Sequence, residues 1–136
     1  MRVFIDSNIW ISAFASRGFC ADLLEWLLKK GSPHSLWISR EVIEEVTRVL
    51  EQQFSLSDAG RQRLDRLLAV PNRSCGGEWI APPDFPDPDD IAIVAAALAA
   101  RAGLFITGDQ ALLNLETIDG MHFVSSREGY RQLRGL

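Results

Sequence analysis

Acidic residues recur where apolar segments of this sequence begin or end. Asp6 directly follows the β-rich run RVFI, Asp109 follows the run LFITG, and Asp90 precedes the alanine-rich segment IAIVAAALAAR. Carboxylates that are held together repel one another unless a proton or a cation neutralises them. A ligand set made only of oxygens suits Mg²⁺ or Mn²⁺. If these acids converge, the chemistry they favour is metal-assisted hydrolysis of a phosphate ester.

The segments around Asp90 and Asp109 are expected to bring both acids to one edge of a sheet. Residues 90–102 are rich in helix formers and predict a helix about 20 Å long. Residues 104–108 predict a buried strand of roughly 17 Å. Because the strand returns antiparallel to this helix, the two lengths nearly cancel. Asp6 also follows a strand, so all three acids are expected at the carboxyl ends of the strands, where open α/β sheets bind ligands.

A fourth acid reaches this edge if residues 40–53 form a helix, for which Ser39 is a good N-cap. At about 100° per residue, Glu45 lies about 100° from the centre of the apolar helix face. Glu44 lies about 160° away and Glu41 about 140° away, measured in the same way. Of the three, Glu45 is therefore the residue expected to lean over the sheet. Taken alone, its position also fits a solvated residue on the flank of the helix.

Each of the other acids has an ordinary structural role as an alternative. Asp6 and Asp109 are each followed by a helix-like segment and suit an N-cap. Asp87 suits the N-cap of the alanine-rich helix, with Pro88 at its first position. Asp90 would then lie in the first turn, where the helix dipole favours a carboxylate. These roles explain the acids one at a time, whereas a metal site explains why they converge.

The chain as a whole predicts a single domain covering residues 1–136. Strand-like and helix-like segments alternate, which predicts an α/β fold with a mainly parallel sheet of four to five strands and helices on both faces. Residues 71–77 are expected to form a loop. Residues 78–80 are expected to form a short edge strand, and a last helix is expected from Arg127.

Composition excludes several classes of protein. The sequence is 47% hydrophobic and 24% charged, which is typical of globular domains, and it has no apolar run long enough for a membrane span. Cys20 and Cys75 form no metal-ligand pair, which indicates free thiols in a reducing, cytoplasmic compartment, with one disulfide as the alternative. The net charge of −4 argues against a protein that binds nucleic acid through a basic surface.

Four segments together resemble PIN-domain nucleases, and most closely the bacterial, VapC-like branch that forms the toxin component of toxin–antitoxin pairs. They are FIDSNIW, ISREVIEEVTRVL, DPDDIAIVAAALAARAGLFITGD and HFVSSREGYRQL, and they run from residue 1 to about residue 133. The most specific feature is the pairing of an N-terminal D(S/T)N with TGD after an alanine-rich helix. The resemblance implies a PIN-like three-layer α/β/α sandwich.

The resemblance also implies an activity and its residues. PIN-domain nucleases cleave RNA phosphodiester bonds with Mg²⁺ or Mn²⁺, so the chain is expected to be a metal-dependent ribonuclease. The catalytic, metal-binding acids of the family map onto Asp6, Glu45, Asp90 and Asp109. Its supporting catalytic residues map onto Asn8 and Thr107. The partners implied are an RNA substrate, a cognate antitoxin protein and, as a candidate assembly, a second copy of the chain, without a membrane.

One residue departs from the family pattern. The TGD motif is often followed, two positions later, by another acid, and this chain has Ala111 there. The departure leaves the number of metal ions, one or two, open, with Asp87 or Asp89 as substitute ligands.

Two other classes of protein compete with a nuclease. A phosphoacceptor receiver domain also gathers acids at strand ends, but it needs a lysine after its last strand, where this chain has Ser125 and Ser126. A non-catalytic PIN-like module that binds RNA or protein is the stronger alternative. The intact set of four acids counts against it.

Overall fold

The computed structural model describes residues 1–135, which are built around a six-stranded sheet. Its strands are β1 (Arg2–Ile5), β2 (Ser35–Ser39), β3 (Asn72–Ser74), β4 (Leu104–Ile106), β5 (Thr117–Ile118) and β6 (Met121–Val124). They are ordered β3-β2-β1-β4-β6-β5, and all neighbours are parallel except β5 and β6. The parallel strands end on one side, at Ile5, Ser39, Ser74, Ile106 and Val124, which we call the carboxyl edge.

Helices connect the strands. They are α1 (Ser7–Ala15), α2 (Phe19–Leu28), α3 (Arg40–Phe54), α4 (Asp58–Leu68), α5 (Ile91–Ala99), α6 (Gln110–Leu113) and α7 (Ser126–Leu133), and a 3₁₀ turn at Pro88–Asp90 leads into α5. Several helices that start at the carboxyl edge begin with a capping side chain. Asp6 caps α1, Ser39 caps α3, Asp109 caps α6 and Ser125 caps α7. These caps satisfy backbone N–H groups that have no partner within the helix.

Both faces of the sheet are covered, as a three-layer sandwich requires. Successive residues of a strand point to opposite faces, yet every residue of 3–5 in β1 and of 104–106 in β4 is at most 1% exposed. Parallel strands that are apolar on both faces are typical of sheets with helices on each side. The prediction of an α/β fold with a mainly parallel sheet in an α/β/α sandwich is therefore confirmed.

Aromatic rings tie the central strands together on one face. Phe4, Phe105 and Phe123 are register partners on β1, β4 and β6. The ring centroids of Phe4 and Phe105 are 5.5 Å apart, and those of Phe105 and Phe123 are 5.0 Å apart. Phe105 thus contacts an aromatic neighbour on each side, and it is fully buried.

The sheet has one or two more strands than the sequence predicts, and its outer strand on the β2 side is not where we expected it. Residues 71–77 were expected to be a loop but contain β3, while residues 78–80 form no strand. Strand β3 has the sequence Asn-Arg-Ser and pairs with β2 through its backbone, so it carries no apolar pattern. Strand β5 has only two residues and likewise shows no apolar pattern. The Asp119-Gly120 turn that follows it, with both φ angles positive, is nevertheless a typical hairpin signal.

Two other expectations concern the environment of the chain. Cys20 and Cys75 are both free thiols in the structure, so the alternative of a disulfide is not realised. Within residues 1–135, no helix combines the length and the apolar character that crossing a bilayer requires.

Replacing Phe105 should destabilise the protein strongly. We expect Phe105→Ala to lower the free energy of unfolding by about 3–5 kcal/mol, because it leaves a cavity between two rings. The matched control is Phe54→Ala at the end of α3, where the side chain is 49% exposed and the change should be within about 0.5 kcal/mol. Urea unfolding measures both changes. Equal effects would show that the contacts among the rings of Phe4, Phe105 and Phe123 do not stabilise the core.

Candidate active site

Asp6 lies at the centre of the carboxyl edge and is almost completely buried, at 5% exposure. Its backbone N–H donates to the carbonyl of Ile106 at 2.9 Å, which extends the β1–β4 pairing by one residue. Its Oδ1 accepts from the backbone N–H of Ser7 at 2.8 Å, as the N-cap of α1. The structural role proposed for Asp6 as an N-cap is therefore real, and it leaves the second carboxylate oxygen, Oδ2, for other contacts.

Thr107 and Asn8 hold Asp6 and Asp109 in one network. The hydroxyl of Thr107, which is fully buried, donates to Oδ2 of Asp6 at 2.7 Å and accepts from the backbone N–H of Asp109 at 3.0 Å. Nδ2 of Asn8 donates to the same Oδ2 at 3.4 Å, and Oδ1 of Asn8 accepts from the N–H of Gly108 at 3.1 Å. The two residues predicted to support the acids thus contact the backbone or side chains of the D-S-N and T-G-D motifs.

Asp109 itself is partly exposed and caps α6. Its Oδ1 accepts from the backbone N–H of Ala111 at 2.9 Å, so Ala111, the residue that departs from the family pattern, supplies a backbone contact here. Within residues 1–135, Oδ2 of Asp109 accepts no hydrogen bond. One oxygen of this carboxylate is therefore available to a ligand.

Glu45 and Asp90 approach Asp6 from two further elements. Glu45 lies on α3 and Asp90 ends the 3₁₀ turn that leads into α5; both side chains are half-buried. Their charges act on one another and on Asp6, as the pKa values below show. Among the described residues, neither carboxylate accepts a hydrogen bond or forms an ion pair. Both acids thus lack a neutralising protein partner among these residues.

The helix phase predicted for α3 agrees with the structure. Glu45 is half-buried and close enough to Asp6 for their charges to interact, whereas Glu44 is exposed and lies 3.6 Å from Nε of Arg40 in a surface ion pair. Glu41, one turn before Glu45, lines a neighbouring cleft. Of the three glutamates, Glu45 is the one whose charge reaches the buried carboxylate.

The pKa values of two acids report the crowding of charge. Burial raises the pKa of Asp6 above its usual value, and the charges of Glu45 and Asp109 add to this, against hydrogen bonds from Thr107 and Ser7 that lower it. Burial also raises the pKa of Asp90, to about 6, followed by the charges of Asp6, Asp87, Asp109 and Glu45. The acids that follow β1 and β4 and the acids on α3 and the 3₁₀ turn therefore lie within electrostatic range of one another.

The donor set of this site suits a hard cation that keeps part of its water. All four predicted ligands are carboxylates, and crowding of their charge favours a proton or a cation. As the side chains stand, however, no three His, Cys, Asp or Glu residues within 1–135 are close enough to hold an ion by themselves. Mg²⁺ usually keeps several waters and binds through only one or two carboxylates, so the residues fit such an ion.

Asp87 and Asp89, the suggested substitutes for a missing acid, are both exposed. Oδ1 of Asp87 accepts from the backbone N–H of Asp89 at 2.9 Å, and Pro88 follows at the first position of the 3₁₀ turn. Asp87 therefore has a capping role with Pro88 after it, as predicted, but it caps the 3₁₀ turn, and the N-cap position of α5 itself is Asp90. Its charge also contributes to the raised pKa of Asp90, so it lies near the site without being buried in it.

A cleft of about 630 Å³ beside the acids was not anticipated from the sequence. It lies among the start of α3, residues 74–79 and the first turns of α5, and its lining includes Trp79 and Arg40. The sequence places Arg40 near this edge, since it follows β2, and it favours a core position for Trp79, with an interface position as the alternative; the structure packs Trp79 against the core and also exposes it to the cleft. A tryptophan within a loop rich in glycine and proline was the available signal.

Parallel strands, covering helices and a group of acids at the carboxyl edge, one of them buried, define a class of α/β domain with an acidic site. A family model described as the PIN domain matches residues 2–111, which include Asp6, Glu45, Asp90 and Asp109. The chain belongs to the PIN domain family. Membership in this family supports a nuclease, in agreement with the resemblance seen in the sequence.

Two solved structures share the fold at low sequence identity. The first is a chain in a structure of VapBC2 from Rickettsia felis bound to a DNA fragment from the VapBC2 promoter. It is 16% identical to this chain with a TM-score of 0.65, and the match covers 92% of this chain and 98% of that one. A chain of VapBC-1 from nontypeable Haemophilus influenzae is 14% identical with a TM-score of 0.57, covering 93% and 99%. Comparison with curated proteins finds no significant match. The structures establish likeness of fold.

Acidification should stabilise the metal-free protein through Asp90. Its folded-state pKa of about 6 lies above the ordinary value of 3.8, so the folded protein binds more protons than the unfolded chain between these two values. The contribution is present at low pH and is lost as the pH rises through about 6. In urea unfolding with EDTA, Asp90→Asn should remove this dependence and be at least as stable as wild type near neutral pH.

Glu44→Gln is the matched control for this experiment, because it removes an exposed carboxylate from the same region and should keep the wild-type pH dependence. A different result would contradict the reading of Asp90. If Asp90→Asn destabilises the metal-free protein by more than about 1 kcal/mol near neutral pH, Asp90 acts mainly as a favourable charge at a helix start.

Asp87 should prove to be a capping residue. Asp87→Ala should cost about 1 kcal/mol of unfolding free energy, because the N–H of Asp89 loses its acceptor. Asp84→Ala is the control, since Asp84 is an exposed acid of the same loop that accepts no hydrogen bond within residues 1–135. Thermal or urea unfolding measures the difference. If Asp87→Ala instead weakened binding of a metal ion and left the unfolding free energy unchanged, Asp87 would be a metal ligand.

Proposed function

We propose that this protein is a metal-dependent ribonuclease that hydrolyses RNA phosphodiester bonds. The observation that carries the proposal is the convergence of Asp6, Glu45, Asp90 and Asp109 on one site, with the pKa of two of them raised by burial and mutual repulsion. Purely structural acids would be expected to carry caps or ion pairs. Glu45 and Asp90 carry neither within the described residues, so a cation is the natural partner that they lack.

Each residue of the site has a distinct proposed task. Asp6, Glu45, Asp90 and Asp109 would hold Mg²⁺ or Mn²⁺. When bound, such an ion supplies Lewis acidity: it lowers the pKa of a water molecule and screens the charge on the phosphate. Thr107 fixes the orientation of the Asp6 carboxylate through its 2.7 Å hydrogen bond. Asn8 joins the D-S-N segment to the backbone of Gly108 and so keeps the two motifs in register.

We further propose that the protein is the toxin of a toxin–antitoxin pair. Support comes from the family and from the fold shared with chains of VapBC assemblies, together with the VapC-like motifs of the sequence. The partners would be RNA as substrate, a cognate antitoxin protein and a second copy of the chain.

A non-catalytic PIN-like module that binds RNA or protein is the alternative. The observation that favours it is the spacing of the acids, since no three of them within residues 1–135 are placed to hold an ion without water. Calorimetric titration with Mn²⁺ separates the two functions. A ribonuclease should bind the ion, with binding weakened in Asp6→Asn, whereas a binding module should show no saturable site.

Replacing the acids should abolish cleavage. With Mg²⁺ or Mn²⁺, Asp6→Asn, Asp90→Asn and Asp109→Asn should each lower the rate of RNA cleavage by about a hundredfold or more, and EDTA should stop it. The reason is that each substitution removes an anionic ligand while nearly keeping its shape. Gel analysis of a labelled RNA measures the rate, and melting temperatures verify folding.

The neighbouring glutamates supply a matched pair for the same assay. Glu45→Gln should impair cleavage, whereas Glu44→Gln should have little effect, because Glu44 lies on the exposed face of α3 and pairs with Arg40. The opposite pattern would show that the metal is held from another face of the helix and would overturn the assignment of Glu45.

A further inference from the structure

The cleft is lined by chain neighbours of two of the acids, although none of the four acids lines it. Its lining includes Pro88 and Ile91, which stand on either side of Asp90 in the chain, and Glu41, which is one helical turn before Glu45. The cleft has a volume of about 630 Å³, within the range of pockets that bind small organic groups. A substrate whose phosphate lies at the acids would therefore have its adjoining nucleotide near this cleft.

Trp79 is the large planar side chain of this cleft, and its loop holds it in place. The indole is half-buried and packs edge to face on Phe85, with ring centroids 5.6 Å apart and an angle of 78° between the planes. The loop from residue 79 to the 3₁₀ turn contains three prolines, and a fourth begins the turn; each of them restricts the backbone. A ring fixed in this way loses little conformational freedom when a ligand stacks on it.

The indole N–H of Trp79 is also free. The indole of Trp10 donates to the carbonyl of Ile5 at 3.1 Å, and that of Trp37 donates to Oγ of Ser35 at 3.1 Å. Within residues 1–135, the indole N–H of Trp79 has no acceptor. Trp79 packs against the core with part of its surface, but unlike Trp10, which is 1% exposed, it is only half-buried and forms no hydrogen bond through its indole among the described residues.

The remainder of the lining has room for a flat, uncharged group. Much of it is small, with Gly76, Gly77, Ala92 and Ala95. A Cβ atom added to Gly76 would lie 3.5 Å from the carbonyl oxygen of Ala92 and 3.5 Å from Cβ of Ala95, so the loop backbone packs directly on α5. These residues leave the space beside Trp79 free of large side chains.

The charge of the cleft favours a base over a phosphate. Among its lining residues within 1–135, only Arg40 and Glu41 are charged, and their charges cancel. The side chain of Arg40 is 82% exposed, so its guanidinium can reach a backbone phosphate at the rim. A phosphate inside the cleft would meet Glu41, whereas a neutral aromatic base would not be repelled.

We propose that Trp79 stacks on an unpaired base of the RNA next to the scissile phosphate, so that this cleft holds one nucleotide of the substrate. Every base has a face that can stack on an aromatic side chain, but in a duplex that face is already covered by the neighbouring base pairs. The proposal rests on the ribonuclease function proposed above, and it assigns Trp79 the role of a specificity-determining residue.

Binding in the presence of EDTA tests the proposal without cleavage. The probes are a single-stranded uridine hexamer, the same hexamer paired with its complement, and a hexamer of ribose phosphate without bases. Protein labelled with 5-fluorotryptophan gives ¹⁹F signals for its four tryptophans, and the loss of one signal in Trp79→Phe assigns Trp79. The uridine hexamer should shift the Trp79 signal, whereas the duplex and the abasic hexamer should not.

Affinities of variants supply the quantitative test. Trp79→Ala should weaken binding of the uridine hexamer roughly 5- to 150-fold, the range expected for loss of one stacked base. Trp79→Phe, which keeps an aromatic face and the contact with Phe85, should stay within a few-fold of wild type. Trp26→Phe, on α2, is the matched control and should change nothing. Binding of the abasic hexamer should be equal in all variants.

The outcomes distinguish this proposal from the proposed activity. The proposal is overturned if the uridine hexamer does not shift the Trp79 signal, which is the result expected of a cleft that binds only a protein partner. It is also overturned if Trp79→Ala weakens binding of the abasic hexamer as much as binding of the uridine hexamer, because no base then stacks on Trp79. If the Trp79 signal moves and its affinity pattern holds but RNA is not cleaved with Mn²⁺, the base site stands and the ribonuclease function fails. Conversely, if RNA is cleaved with Mn²⁺ but Trp79→Ala binds the uridine hexamer as tightly as wild type does, the ribonuclease function stands and the base site fails.

Discussion

A buried carboxylate at the end of the central strand is the constraint on which the site depends. Placing the charge of Asp6 at 5% exposure is unfavourable unless hydrogen bonds replace the water it loses. Those bonds come from Ser7 on α1 and from Thr107 after β4, so they form only when both elements are docked. Since the hydroxyl of Thr107 also accepts from the N–H of Asp109, one side chain couples two acids that are 103 positions apart in the sequence.

The rest of the fold offsets the repulsion that this arrangement creates. The raised pKa values of Asp6 and Asp90, caused first by burial and then by neighbouring carboxylates, mean that folding makes the charged form of each acid less favourable than it is in the unfolded, metal-free chain. The opposing free energy comes from the apolar layers on both faces of the sheet, in which the ladder of Phe4, Phe105 and Phe123 joins three parallel strands. A rigid sheet and capped helix starts thus hold side chains that repel one another.

The carboxyl edge has two adjoining regions that differ in charge: the group of acids and the cleft that contains Trp79. The acids form an anionic site that favours a cation, and the neighbouring cleft is nearly neutral and lined by Trp79 and small residues. This division agrees with the net charge of −4, because a protein that combines bound metal with base stacking needs few basic residues to hold RNA. Arg40 is the basic residue among the described residues that line the cleft, and its side chain is exposed.

The sequence by itself determined the alternation of strands and helices and the end of β1 just before Asp6. It also determined the cap of α3 at Ser39 and the phase that turns Glu45 inward, because periodicity and capping are local properties of the chain. It also carried the motifs of the PIN domain family. Only the tertiary structure decided the position of β3, since Asn-Arg-Ser pairs through backbone groups that every sequence possesses. It likewise decided that Trp79 lines a cleft and that burial raises the pKa of Asp90, because both depend on residues that are distant in the sequence and meet only when the sheet is complete.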